Sequence, residues 1–313
     1  MHIGIPRETG PQEGRVAANP SAVRTLVAAG HLVLIEQGAG LASGFGDDDY
    51  IRAGAEIAPT AEEVYDRATL LWKVLRPSAH EATLLRPGHT VAALLHQGPP
   101  LPEGVRGVAL ERAGDGRVRA AMSDIAGRLA VEAASVALQR HHGGRGLLLG
   151  GVPGVPRASV VVLGAGIAGR GAAGLASALG ADVTVLDTDL GALRALPRLR
   201  TLLATPHAVE RATAEADVVI GAVRDGDGAA PRLLTRAHLA LLQPGTVLVD
   251  LSITDGGAFE STALTSLAAP SVVVDGVVHI GVPNFAGGVP RTASLALGQA
   301  ALPFLLDLAG SPS

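Results

Sequence analysis

The chain has 313 residues, a net charge of −4 and no cysteine, which excludes disulfides and thiolate chemistry. Its hydrophobic content of 48% is enough for a sizeable core in one large or two medium domains, and the lack of a basic run argues against nucleic-acid binding. Since no apolar run reaches the roughly 18 residues of a membrane span, and the N-terminus lacks the layout of a signal peptide, we expect a soluble cytoplasmic protein.

Short apolar runs alternate with helical patterns through the first 120 residues or so. The predicted strands are His2–Ile5, Leu32–Glu36, 70–74 and 90–95, and the predicted helices are 20–29 and 62–68. This alternation predicts a parallel sheet with helices on both faces. A long helix is predicted from about 123 to 141, with Ser123 as a candidate N-cap, and the glycine-rich stretch 143–156 is predicted to be a loop that leads into a second domain.

The same alternation resumes in the second half of the chain. Strand 159–164, helix 168–179 and strand Asp182–Asp187 are followed by predicted strands at 218–222, 247–251 and 272–274. This is the number of strands that a dinucleotide-binding domain contains. A last helix is predicted over 292–308, where apolar residues recur at helical spacing.

A glycine-rich turn lies between the first strand and the first helix of this second half. It reads Gly164-Ala165-Gly166-Ile167-Ala168-Gly169, which is the G-x-G-x-x-G spacing. The three glycines allow a tight turn, a close approach of a pyrophosphate and close packing of the helix on the strand. Free N–H groups at the start of the helix, around Ile167 and Ala168, favour negative charge. The turn therefore predicts a dinucleotide site.

An acidic residue, Asp187, ends the next strand, 18 residues after Gly169. A carboxylate there accepts hydrogen bonds from both ribose hydroxyls and repels a 2′-phosphate. The expected cofactor is therefore NAD(H) rather than NADP(H).

Several fragments in chain order resemble the family of alanine dehydrogenase and the alpha subunit of pyridine nucleotide transhydrogenase. They are Met1 to Glu8, Gly14-Arg15-Val16-Ala17, Gly38-Ala39-Gly40, Ser43-Gly44-Phe45, Met122 to Arg128, Gly150 to Pro156, and Val289-Pro290-Arg291-Thr292. The resemblance covers almost the whole chain and is nearer to alanine dehydrogenase, because His96 falls where those enzymes have a catalytic histidine.

This resemblance implies two Rossmann-like, doubly wound α/β domains joined by long helices, with a cleft between them. Residues 1–127 plus 287–313 would form the substrate domain, and residues 128–286 would form the NAD-binding domain. The resemblance also implies a small carboxylate substrate and a homo-oligomer, either a dimer or a hexamer.

Arg15 and His96 match two functional positions of the family. Arg15 is expected to bind the substrate carboxylate, because its planar guanidinium suits a bidentate grip. His96 follows a predicted strand, at the edge where open sheets gather their sites, and an imidazole suits proton transfer near neutral pH.

Two other positions depart from the family pattern. The family has Lys-Val-Lys-Glu-Pro at the third strand, whereas this chain has Lys73-Val74-Leu75-Arg76-Pro77, so Leu75 replaces the lysine that contacts the substrate. Lys73 is a candidate substitute for that lysine, since residues two apart share a strand face about 7 Å from each other. Arg76 is expected on the opposite face, in solvent.

The second departure follows the predicted strand 247–251. The family has Ile-Asp-Gln-Gly-Gly, whereas this chain has Ile253-Thr254-Asp255-Gly256-Gly257. Thr254 therefore replaces a catalytic aspartate with a hydroxyl that is no base at neutral pH, and Asp255 is adjacent to it.

Two further residues are candidate cofactor contacts. Asn284 matches the family's Asn before the last helix, which contacts nicotinamide or substrate. Ser123 is expected either to contact the cofactor or to cap its helix, and the sequence does not separate these roles. No metal site is predicted, because the histidines lack partners at ligand spacing.

The expected function is that of an NAD(H)-dependent oxidoreductase acting on an amino acid, an imino acid or a 2-oxo acid. Leu75 and Thr254 argue against ordinary alanine dehydrogenase activity. Two alternatives remain open, namely a lyase or cyclodeaminase that recycles bound NAD, and an inactive sensor of dinucleotide or metabolite.

Overall fold

The computed structural model describes residues 1–96, 98–224, 226 and 229–310. The chain divides into two compact units. The first contains Met1–Met122 and the described part of Ala286–Ser313, and the second contains Ser123–Phe285.

The first unit is built around a six-stranded, wholly parallel sheet with the strand order β3-β2-β1-β4-β5-β6. The strands are β1 (His2–Ile5), β2 (Leu32–Glu36), β3 (Glu56–Ala58), β4 (Leu70–Leu75), β5 (Thr90–Leu94) and β6 (Arg106–Ala109), and the helices between them are α1 (Pro20–Ala28), α2 (Asp47–Arg52), α3 (Ala61–Arg67) and α4 (Ala79–Leu84). The four strands predicted for this half are confirmed. The short strands β3 and β6 were not predicted, because they lie at the two edges of the sheet and contain few buried apolar residues.

Local capping defines where these helices begin. Asn19 accepts a hydrogen bond from the N–H of Ala22 and so caps α1 ahead of Pro20. Ser78 and Glu81 form a reciprocal capping box at the start of α4. This capping box also fixes the position of the Glu81 carboxylate.

The long helix α5 (Arg117–Ala137) begins earlier than predicted. It follows a single 3-10 turn, Gly114–Gly116, in which Asp115 has a φ of 59°. Ser123 therefore lies inside the helix, and the prediction that it is the N-cap is wrong. The helix also ends before residue 141, because residues Arg140–His142 form a separate 3-10 turn.

The second unit contains a seven-stranded sheet with the order β12-β13-β11-β10-β7-β8-β9. The strands are β7 (Ser159–Leu163), β8 (Asp182–Asp187), β9 (Arg200–Leu203), β10 (Val218–Gly221), β11 (Val247–Asp250), β12 (Ser271–Val274) and β13 (Val277–Ile280), with helices α6 (Ile167–Ala178), α7 (Leu190–Arg194) and α8 (Pro206–Ala214). All pairs are parallel except β12 with β13.

Both sheets follow the 3-2-1-4-5-6 order of doubly wound folds, with β12 added at one end of the second. The predicted fold of two doubly wound α/β domains is therefore confirmed. In each sheet the order reverses beside the first strand, between β1 and β4 and between β7 and β10. Ligands bind at the carboxyl edge of such a switch point.

The last helix, α9 (Pro290–Gly310), packs into the core of the first unit through Leu297, Ala301 and Leu305. It is long and apolar enough to cross a membrane by length and composition, with a mean hydropathy of 1.4, although 39% of that stretch is buried. Arg291 and Asp307 interrupt this stretch, so it is not a continuous apolar run of that length, and its packing in the core of the first unit accounts for its apolar residues.

Candidate functional site

The glycine-rich turn follows β7 at the switch point of the second sheet. Gly164 has a φ of 103°, and a Cβ on it would lie 2.3 Å from the carbonyl oxygen of Ala222, just after β10. A Cβ on Gly169 would lie 1.8 Å from the carbonyl oxygen of Gly164. Packing therefore requires glycine at both positions, as the sequence predicted for the turn.

Gly166 has the opposite environment. It is the N-cap of α6, and a Cβ placed on it would meet no atom of the described chain within 4 Å. Ile167 and Ala168 follow in the first turn of α6, where N–H groups have no partner within the helix. The exposed backbone and the helix dipole together suit a pyrophosphate.

Asp187 lies at the end of β8 beside this turn. Its Oδ2 accepts a hydrogen bond of 2.5 Å from the N–H of Ala165, and its Oδ1 accepts one of 2.8 Å from the N–H of Asp189. Each carboxylate oxygen has a second lone pair for a ribose hydroxyl. The open backbone at Gly166 and the fixed carboxylate of Asp187 therefore fit an unphosphorylated dinucleotide ribose.

Ser123 and Asn284 also belong to the second unit. Ser123 is half-buried on α5, next to Asp124, whose Oδ1 would lie 2.5 Å from a Cβ on Gly171 of α6. Asn284 is half-buried in the turn that follows β13, at the carboxyl edge of the sheet. Both remain predictions as cofactor contacts.

The segment after β11 contains the second departure from the family pattern. Thr254 is exposed in the 3-10 turn Ile253–Asp255. The Oδ2 of Asp255 lies 3.9 Å from the Nε of Arg224, and so it faces a cation. The Ser252 hydroxyl donates to the carbonyl of Val223 and fixes the turn to the end of β10.

Arg15 is held by an acidic neighbour that the sequence reasoning missed. Its Nε and Nη2 donate to the two carboxylate oxygens of Glu13, at 2.7 Å and 2.5 Å, and its Nη1 lies 3.5 Å from the sulfur of Met122. Only 3% of Arg15 is exposed. Glu13 therefore fixes one edge of the guanidinium and neutralises its charge.

Lys73 lies inside the first unit and has no exposed surface. Its Nζ is 2.7 Å from Glu81 Oε1 and 3.2 Å from Glu8 Oε2, and the Tyr65 hydroxyl donates to the same Glu81 oxygen. Lys73 is therefore the cation of a buried ion pair with two carboxylates. The structure therefore contradicts the prediction that Lys73 reaches the substrate in place of the missing lysine.

The two carboxylates around Lys73 differ in their pKa shifts. Burial raises the pKa of Glu8, although Lys73 and the N–H of Val74 oppose this effect. Burial alone would lower the pKa of Lys73, but Glu8 and Glu81 together raise it. Burial acts to raise the pKa of Glu81 too, but the attraction of Lys73 and the capping bonds of Ser78 lower it overall.

The end of β4 is irregular, which explains why the face of Lys73 was mispredicted. The pairing of β4 with β5 shifts register between Trp72 and Leu75, so strict alternation does not hold there. Leu75 is half-buried and packs against the core of the first unit. Arg76 was expected in solvent, but its Nη2 donates to the carbonyl of Leu95 at 2.5 Å and its Nη1 donates to the carbonyl of Pro99.

His96 lies two residues after the end of β5, at the carboxyl edge of the first sheet. Its side chain is 42% exposed, and its Nδ1 lies 4.0 Å from Oε1 of Glu111. Glu111 is buried and also accepts the N–H of Leu95 with both carboxylate oxygens, at 3.2 Å and 3.1 Å. The structure thus places an accessible imidazole beside a fixed carboxylate.

Sequence reasoning missed the four acids of this unit, Glu8, Glu13, Glu81 and Glu111. Glu8 ends the first fragment that carries the family resemblance, Glu13 directly precedes the second, and Glu81 stands three residues after Ser78 in a capping-box pattern. No comparable signal marks Glu111, because its partners come from a neighbouring strand.

Known proteins match both units. The model of the alanine dehydrogenase/PNT N-terminal domain matches residues 4–115, and that of the corresponding C-terminal domain matches residues 130–312. An alanine dehydrogenase from Halomonas elongata is 42% identical over 325 aligned positions, which cover 99% of this chain and 88% of the relative.

Solved structures agree with these matches. An L-alanine dehydrogenase superposes with a TM-score of 0.94 at 39% identity, covering 99% of this chain and 90% of that one. A transhydrogenase from Sinorhizobium meliloti gives a TM-score of 0.87 at 31% identity, with 99% and 94% covered. The chain therefore belongs to the alanine dehydrogenase/PNT family, and it is an NAD-dependent oxidoreductase.

Proposed function

We propose that the chain interconverts an amino or imino acid and a 2-oxo acid with NAD(H), on a substrate other than alanine and pyruvate. The observation that carries this proposal is the carboxyl edge of the first sheet. There an accessible His96 faces Glu111, while the half-buried Leu75 stands where the family motif has a lysine. In this proposal the first unit holds the substrate, the second holds the dinucleotide, and the protein acts as a homo-oligomer.

Arg15 is the group proposed to bind the substrate carboxylate. Glu13 occupies the Nε and Nη2 edge, so the Nη1 end, beside the sulfur of Met122, is the end that a carboxylate would contact. A guanidinium fixed by one carboxylate loses little further freedom when it binds a second one. The pairing with Glu13 therefore suits an Arg15 that orients the substrate carboxylate more than one that attracts it strongly by charge.

His96 is the proposed acid/base. Its imidazole can take a proton from an amine or a bound water and return it in the reverse direction. Glu111 lies 4.0 Å from Nδ1, and so Nε2 is the ring nitrogen that faces away from this carboxylate. Bound NAD supplies the hydride acceptor or donor, and the turn around Gly166 with Asp187 would hold it.

Leu75 and Thr254 support a substrate different from alanine. Neither side chain can place a charge next to a developing oxyanion or activate water at neutral pH. Leu75 instead adds an apolar surface, which suits a bulkier or less polar substrate. The relatives named alanine dehydrogenase favour alanine as the second candidate, because their identity extends over 99% of this chain.

The test is NADH consumption with ammonium or methylamine and a panel of 2-oxo acids, which starts with pyruvate and continues to acids with larger apolar side chains. We expect a branched or aromatic oxo acid to be reduced faster than pyruvate. The double variant Leu75→Lys/Thr254→Asp is expected to raise turnover of pyruvate plus ammonium at least about tenfold, since an ion acting in the transition state contributes several kcal/mol.

Leu32→Lys is the matched control, because it makes the same chemical change at an exposed position of the same unit. Pyruvate as the best substrate of the unmodified protein would establish ordinary alanine dehydrogenase activity instead. Product formation without a net change in NADH would favour a lyase that recycles NAD, and NADH binding without any turnover would favour a sensor.

A further inference from the structure

Arg76 connects the ends of two neighbouring strands next to His96. It directly follows β4, and its guanidinium donates to the carbonyls of Leu95 and Pro99 beyond the end of β5. Gly98 packs on its stem, since a Cβ on Gly98 would lie 2.9 Å from both Cδ and Nε of Arg76. With a φ of 109°, Gly98 also adopts a backbone conformation that few other residues tolerate.

The residue before His96 is held from two sides by opposite charges. The N–H of Leu95 donates to the Glu111 carboxylate, and the carbonyl of Leu95 accepts from the Arg76 guanidinium. Hydrogen bonds that involve a charged group are shorter and stronger than neutral ones. Both backbone polar atoms of Leu95 are therefore fixed, and its carbonyl lies in the peptide that leads into His96.

His96 needs such support, because its ring is 42% exposed and so has limited packing of its own. The direction of its Cα–Cβ bond depends on the peptide whose carbonyl Arg76 holds. The family motif has glutamate at this position, and a carboxylate facing two carbonyl oxygens would be repelled. The contact between Arg76 and these carbonyls therefore depends on a residue at which this chain departs from the family motif.

We propose that Arg76 is a positioning residue that aligns His96 for proton transfer by holding the Leu95 carbonyl. The proposal rests on the proposed function, in which His96 is the acid/base. Misplacement of a reacting group by about 1 Å can lower a rate on the order of 100-fold. Arg76→Gln is therefore expected to lower kcat by about 10- to 100-fold and to change KM for the oxo acid little.

The test compares Arg76→Gln, Arg76→Lys and His96→Asn with the double variant Arg76→Gln/His96→Asn. A positioning role predicts that Arg76→Gln costs less than about twofold once His96 is absent, since residues acting as one unit are not additive. Arg76→Lys should restore part of kcat. The matched control is Arg106→Gln, an exposed arginine on β6 whose loss should leave kcat unchanged.

Equal losses from Arg76→Gln with and without His96 would overturn the proposal. So would a rise in KM at constant kcat, because that result would mean that Arg76 binds the substrate directly. The urea unfolding midpoint from the fluorescence of Trp72, which is buried in the first unit, shows for each variant whether the fold is retained.

A second readout does not need turnover. The imidazole carbon–proton NMR signal of His96, assigned by its loss in His96→Asn, should shift or broaden in Arg76→Gln and stay in place in Arg106→Gln. A shift in a protein that turns over no oxo acid would refute the proposed function and leave the positioning role standing. An unmoved signal in Arg76→Gln would refute the positioning role whatever the substrate.

Discussion

Replacing Lys73 with methionine removes the cation between two buried carboxylates, and we expect a strong loss of stability. The Nζ of Lys73 lies 2.7 Å from Glu81 and 3.2 Å from Glu8. At an effective dielectric constant of about 20, the gross attraction at such distances is on the order of 5 kcal/mol per contact. Desolvation offsets much of this, and removing one partner of a buried pair costs about 3–5 kcal/mol. The free energy of unfolding should fall by that amount.

The neighbouring Trp72 provides the assay. It is the only tryptophan of the chain and is fully buried on β4, so its fluorescence reports unfolding of the first unit. Urea titrations of Lys73→Met would give the loss, and the triple variant Lys73→Met/Glu8→Gln/Glu81→Gln is the control. Because this variant has no uncompensated charge left, it should regain most of the stability.

The loss should also depend on pH in a defined direction. Without the ammonium, burial is the largest remaining effect on both carboxyls, so we expect the folded-state pKa values of Glu8 and Glu81 to lie above their unfolded values. Such carboxyls bind a proton more tightly in the folded state, so their contribution is present below the unfolded pKa and is lost as pH rises through the folded pKa. In the unmodified chain the lowered pKa of Glu81 acts in the opposite direction.

Lys73→Met should therefore lose more stability at about pH 8 than at about pH 5. A loss below about 1 kcal/mol, which is the range of exposed ion pairs, would refute this reasoning. A deficit that shrinks as pH rises would refute it as well. If Lys73→Met lost turnover but kept its stability, Lys73 would have the catalytic role that its burial argues against.

Three further predictions concern the dinucleotide turn and Arg15. Gly166→Ala should leave the unfolding midpoint unchanged and weaken NADH binding at least about tenfold, or about 1.4 kcal/mol. Gly169→Ala should instead destabilise the second unit, because its Cβ would lie 1.8 Å from a carbonyl oxygen. Calorimetric titration with NADH and thermal melts of both variants check this. Asp187→Asn should narrow the preference for NADH over NADPH, measured as the ratio of the two Kd values, and an unchanged ratio would contradict the assigned role of Asp187. Glu13→Gln should raise KM for the oxo acid severalfold, since a neutral amide holds the Arg15 guanidinium less firmly, and unfolding should become easier by about 1–3 kcal/mol. A lowered KM would show that the charge of Arg15 matters more for binding than its orientation.

The glycine turn and the parallel strands could be predicted because their signals are local. The run before Gly164 is β-branched, the glycines follow at fixed spacing, and Asp187 ends the next apolar run. The start of α5 could not be predicted in this way. Arg117 directly follows a 3-10 turn, whereas Ser123, a residue type that favours caps, lies inside the helix.

The substrate side of the site depends on contacts between residues far apart in sequence. Lys73 and Leu75 share a face in a regular strand, but the register shift in β4 breaks this pattern, and the partners of Lys73 come from a loop and from α4. Arg76 looks solvent-exposed from its spacing, yet its partners lie beyond the end of β5. Spacing along one strand contains no information on either set of partners.

The shared strand order of the two sheets has a consequence for binding stoichiometry. At the switch point of the second sheet, the chain turns through glycines and leaves its backbone open. At the equivalent point of the first, Glu8 follows β1 and accepts the N–H of Val74 at 2.7 Å. A carboxyl group there occupies a backbone N–H donor at the strand ends, and its ionised form repels the charge of a phosphate. Although the chain contains two sheets of the same plan, we therefore expect it to bind one dinucleotide per chain.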